Sequence, residues 1–217
     1  MFNRILNFRN FIAAMVVSIA FGGMNAQADP PKEKPPAAKT YDFTLENFEI
    51  LRTRSRHNDT DHVSFALKVG DKIYPAKVKH MGDLNDGTFK VGLSFSGVTV
   101  PKPDTKIVLT YLVLNSGHKQ DEVSKWLEKG ATELLKKGAT AAGAWGEVIS
   151  YIGNIGIEFL FPNCDGWVAG DHITLTGQKV ASYGASHKET REYQGLDSPT
   201  GCGRNSIYKV TWSVKQK

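Results

Sequence analysis

Thr88-Phe89-Lys90-Val91-Gly92-Leu93-Ser94-Phe95-Ser96 (residues 88–96) places an apolar side chain at every second position, with small or polar ones between. Side chains alternate across a strand, so Phe89, Val91, Leu93 and Phe95 share one face. The same period appears in Val63, Phe65, Leu67 and Val69, and again in Tyr208, Val210, Trp212 and Val214. Ile107 to Leu114 is almost continuously apolar, the composition of a central strand covered on both faces. Weaker strand patterns run over 41–53, 73–79, 171–182 and 187–194. Gly70-Asp71, Asn85-Asp86-Gly87 and Asp197-Ser198-Pro199 punctuate them as turns. About eight strands with frequent turns predict a mainly β fold, an antiparallel β-sandwich.

Residues 121–161 break that period. Asp121 suits an N-cap, and Val123, Trp126, Leu127, Ala131, Leu134 and Leu135 mark one helical face. Lys136-Lys137-Gly138 supplies a basic last turn and a glycine stop. A second helix is expected from about Ala139 to Phe161, ended by Pro162, with Gly143, Gly146, Ser150 and Gly153 at helical spacing. The segment therefore reads as a helical hairpin inserted into a single β domain spanning 41–217.

Ahead of that domain, residues 1–28 have the three parts of a secretory signal peptide. Arg4 and Arg9 carry charge, Phe11 to Phe21 is apolar, and Ala26-Gln27-Ala28 is a small-x-small cleavage site. The apolar run is about half of the roughly 20 residues a spanning helix needs. Residues 29–40 are rich in Pro and Lys and read as an extended linker. Removing Arg4 and Arg9 lowers the formal charge from +5 to +3. So mild a balance, with no dense basic block, gives no support to nucleic acid as a partner. Cys164 and Cys202 are the only cysteines, and in a secreted or periplasmic setting they favour one disulfide.

A simple meander predicts where the loops meet. Alternate connections fall at the same end, which gathers 57–61, 82–87, 115–118, 163–166 and 195–204. Asp59, Asp61, Asp83, Asn85, Asp86 and Asp165 would then converge, and calcium, which takes six to eight oxygen ligands, is the candidate cofactor. Asp and Asn are also ordinary turn formers, and neither loop has EF-hand spacing. The same parity puts Cys164 and Cys202 together. His57, His118 and His172 are candidates for the same neighbourhood, and Trp167, beside Cys164-Asp165-Gly166, offers a sugar platform if exposed and a core anchor if buried. Arg52, Arg54 and Arg56 alternate along the first strand, so their guanidinium groups would project from one face toward an anion.

His57-Asn58-Asp59-Thr60-Asp61-His62 resembles the H-x-H-x-D-H zinc motif of the metallo-β-lactamase family, which implies a metal-dependent hydrolase. Asp59 stands where that family has its second histidine, and a strand pattern follows where the family needs a helix. There is no G-x-S-x-G elbow, and the balance leans away from an enzyme. The leading expectation is a secreted binding module whose loop-rich end takes a carbohydrate, a protein or an anionic surface, with calcium assisting. The alternative is a membrane-active protein inserting 121–161, and a further one is a secreted metal-dependent hydrolase.

Overall fold

A computed structural model of the chain describes residues 38–55, 59–137, 148, 164–195, 202 and 205–217. Among the described residues, eight strands and two helices have both ends defined and follow in order. They are β1 (Lys39–Arg52), β2 (Asp59–Val69), β3 (Lys72–Leu84), β4 (Gly87–Val100), β5 (Lys106–Asn115), α1 (Gln120–Lys137), β6 (Gly166–Thr176), α2 (Gly177–Ser182), β7 (Ser186–Gln194) and β8 (Ile207–Gln216). Two four-stranded sheets, ordered β4-β1-β8-β7 and β3-β2-β5-β6, pair antiparallel throughout and form the expected sandwich. The core between them holds the inward alternates foreseen from the period-two runs, among them Phe43, Phe65, Val91, Tyr208 and Trp212.

A third layer explains why β5 is apolar on both sides. Val108, Leu112 and Leu114 leave the sandwich core and pack against Val123, Leu127, Ala131, Leu134 and Leu135 of α1. The predicted helical face is therefore buried, apart from the partly buried Trp126. The helix begins at Gln120, so Asp121 lies in its first turn, where a carboxylate favours the positive end of the helix dipole. Val148 belongs to the same apolar cluster. The rest of the expected second helix, the signal peptide and all but the end of the linker lie outside the described residues.

Two expectations change. The strand pattern over 171–182 divides, because Thr176 accepts a hydrogen bond from the Lys179 amide at 3.1 Å and caps α2. A side chain at Gly177 would meet the Lys102 carbonyl oxygen at 2.2 Å, which fixes glycine there. The meander also fails, since β1 and β2 lie in different sheets, as do β3 and β4. Antiparallel pairing nevertheless preserves the parity. Asp59 pairs with Leu84, Asp61 with Asn115, Asn115 with Gly166 and Arg52 with Ile207, so the strand ends that flank the named connections do share one end.

Candidate functional site

At that loop-rich end, β1 stops at Arg52 after a register shift, and the chain reverses through Thr53 to Ser55 before β2. Fully buried Asp59 organises the reversal. It accepts hydrogen bonds from the Arg54 amide (2.6 Å), the Ser55 amide (2.7 Å), Asn115 Nδ2 (2.9 Å) and the Tyr208 hydroxyl (2.8 Å). The same hydroxyl lies 2.8 Å from Asp61 Oδ2. Burial, and then the neighbouring Asp59, push the Asp61 carboxyl well above its ordinary value, while the Tyr208 contact opposes them. Asp165, also buried, accepts from Ser116 Oγ (2.8 Å) and the Gly117 amide (3.0 Å), with His118 Nε2 at 3.5 Å.

These bonds decide what the predicted site residues do. Asp59, Asp61 and Asp165 face inward, whereas Asp83, Asn85 and Asp86 are exposed, Asp83 accepting from the Thr60 hydroxyl. Among the described residues, no three His, Cys, Asp or Glu side chains are grouped to hold a metal ion. Arg52 and Arg54 do not share one face. Arg52 donates from Nε to the Asn205 carbonyl at 2.6 Å, and Arg54 turns into the protein and donates from Nε to the Cys164 carbonyl at 2.9 Å. Arg56 and His57 lie outside the described residues. A Cβ on Gly166 would stand 2.7 Å from Arg54 Cζ, so the glycine makes room for that guanidinium. Trp167 is buried and anchors the α1 layer. Cys164 and Cys202 form the expected disulfide, with a Cα separation of 5.5 Å.

On the outer face of the same end, His62 pairs with His80, their Nδ1 atoms 3.4 Å apart, while His62 Nε2 lies 3.3 Å from the Ser116 carbonyl. A carbonyl only accepts, so His62 Nε2 carries hydrogen and Nδ1 receives one from His80. Burial, then the charge of His80, lower the His62 pKa to about 4 against the Ser116 contact, which raises it.

A second polar region lies where β6 and β7, each at the edge of its sheet, face one another. Buried Asp171 accepts from the His172 amide (2.7 Å), the Tyr193 hydroxyl (2.9 Å) and the Arg191 guanidinium. Tyr193 meets the Tyr111 hydroxyl from β5, and Arg191 also pairs with Glu189. Burial, and then the charge of Asp171, hold the Tyr193 hydroxyl above its ordinary value. Next to this brace opens a cleft of about 310 Å³, lined by Lys179, Tyr183, Glu189, Arg191 and the His172–Leu175 stretch of β6. Tyr183 stacks on His187 with ring centroids 3.8 Å apart. His172 therefore belongs to mid-strand, with Nδ1 3.1 Å from Thr110 Oγ1, and not to the loop-rich end. The sequence carried a signal for this region: His187, Glu189, Arg191 and Tyr193 alternate with the inward phase of a strand, and Asp171 interrupts an apolar one.

No family model and no curated protein matches the sequence. Among solved structures, the chain is similar to a C2 domain of a plant Extended Synaptotagmin 1, at 10% identity and a TM-score of 0.36, over 82% of this chain and 95% of that one. A likeness of that size carries no argument about function.

Proposed function

We propose that the chain is a secreted binding module that takes a carbohydrate in the cleft between β6 and β7. The makeup of the cleft carries this reading. Lys179 and Arg191 supply donors, Glu189 supplies an acceptor, and Tyr183 brings an aromatic ring to the same opening of about 310 Å³. Pockets of a few hundred cubic ångströms with a few converging polar groups are the usual form of small-ligand sites. Arg191 is matched by Asp171 and Glu189, which leaves little field for a polyanion, while donors and acceptors held by ion pairing suit neutral hydroxyls. The Cys164–Cys202 disulfide fits an oxidising compartment, in keeping with export.

The calcium-assisted version at the loop-rich end has weaker support, because its buried carboxylates already meet amides and hydroxyls inside the protein. The membrane-inserting version of 121–161 must give up the α1 face now packed on the second sheet. No helix among the described residues is long and apolar enough to cross a membrane.

Saturation-transfer NMR of the disulfide-intact protein against a panel of neutral mono- and oligosaccharides tests the carbohydrate reading. Binding that is lost in Lys179→Ala and Glu189→Gln, with an unchanged unfolding midpoint, is the expected result. Absence of binding across the panel, or binding that survives both substitutions, would sink it.

A further inference from the structure

We infer that Asp61 holds a proton at neutral pH and donates it to Tyr208, which makes the loop-rich end a latch that is tight in acid and loosens in alkali. Donor counting carries the inference. The Tyr208 hydroxyl has one hydrogen, yet it stands 2.8 Å from both Asp59 Oδ2 and Asp61 Oδ2. Asp59 already takes two backbone amides and the Asn115 amide, so its oxygens act as acceptors. The tyrosine hydrogen goes to Asp59, and Asp61 must then be the donor to Tyr208 Oη. Two ionised carboxylates around a single hydroxyl, with both residues fully buried, would leave one oxygen pair without hydrogen.

The groups facing Asp61 are few. Asp59 shares its strand face, Tyr208 comes from β8, Asn115 pairs beside it from β5, and the Arg54 and Ser55 amides close the β1–β2 reversal. The Arg54 Nε donates to the Cys164 carbonyl, and His62 and His80 lie on the opposite face of β2. Asp61 Oδ1 is buried without a partner, so ionisation would leave negative charge on an oxygen with nothing to receive it. The Asp59–Tyr208–Asp61 chain ties β2 to β8, one strand from each sheet, and loss of the Asp61 proton removes one of its two links and sets a second buried negative charge beside Asp59.

The direction of the pH effect follows from proton counting. The unfolded chain releases this proton near the ordinary aspartate value of 3.8, and the folded chain keeps it to higher pH. The folded state therefore binds one more proton across that window, and stability falls as pH rises through it. Below about pH 4 the contribution is fully present.

Carboxyl-carbon NMR of the disulfide-intact protein, titrated from about pH 4 to about pH 9, tests the inference. One aspartate carboxyl should remain at its protonated position at pH 7, and its signal should vanish in Asp61→Asn. Above about pH 6.5, where His62 no longer contributes, denaturant midpoints should decline with pH in the parent and stay flat in the variant. If every aspartate carboxyl is ionised by about pH 6, or if Asp61→Asn declines in parallel with the parent, the inference is overturned. Should the variant fail to fold, the parent titration decides alone. Neither readout depends on a ligand in the β6–β7 cleft.

Discussion

Asp59 and Asp171 are both almost wholly buried, and each accepts at least three hydrogen bonds, yet they serve different ends of the fold. Every donor to Asp59 is held by the chain reversal or by the core, so its bonds end inside the protein. Asp171 takes one backbone amide, one tyrosine and one guanidinium, and that guanidinium reaches the lining of an open cleft. Equal burial therefore does not mean equal role. The first carboxylate closes a loop, and the second braces two sheet edges beside a space that solvent or a ligand fills.

The largest effect should separate them directly. Asp59→Ala strands two amides, Asn115 and Tyr208 in a dry site, and should cost about 3–5 kcal/mol in a denaturant titration. Removing the disulfide at the same end, by Cys164→Ser with Cys202→Ser, should cost about 3–4 kcal/mol, since the bridge closes a 38-residue separation. Asp171→Ala should cost about 1–3 kcal/mol, because the partly exposed Arg191 keeps Glu189 and gains water. If Asp171→Ala proved as costly as Asp59→Ala, the seam would be as closed as the loop-rich end and the comparison would break.

The same contrast explains what could be read from the sequence. Period-two alternation and the apolar face of 121–135 are written locally, so the strands, the sandwich and the docked helix were legible. Parity located the loop-rich end even though the strands change sheets, since antiparallel pairing alone sets which ends meet. Side-chain direction was not legible there. Arg54 read as projecting from the first strand and Trp167 as exposed or buried alike, but Gly166 makes room for one and the α1 layer covers the other. The β6–β7 cleft joins residues about twenty positions apart on facing edge strands, and only the three-dimensional order of the sheets brings them together.

A subtler test uses the two faces of β2. His62 is neutral when folded, with its pKa lowered from 6.5 to about 4, so the unfolded chain binds the extra proton between those values. Stability should then fall as pH drops from about 6.5 toward about 4, opposite in sign to the effect of Asp61 across the strand. Compared with the parent by thermal unfolding, His62→Gln should gain stability as pH falls from about 6.5 to about 4, while keeping the alkaline decline. If the difference between variant and parent is the same at about pH 4 and at about pH 6.5, the proton is taken up elsewhere, and the His62–His80 pair is no more than packing.

The smallest effect is the sharpest for function. Asp83, Asn85 and Asp86 are exposed, and Asp83 accepts from the Thr60 hydroxyl at the surface, so alanine at each should change stability by about 0.5 kcal/mol or less. A calcium ion would need these three together with Asp59, Asp61 or Asp165, whose oxygens already face amides, hydroxyls or a held proton. Calcium added to the protein should therefore leave its melting temperature where chelator leaves it. A rise that disappears in the triple alanine variant would mean that the ion outcompetes those internal donors. The loop-rich end would then be the open region of the molecule, and the β6–β7 cleft its bracing.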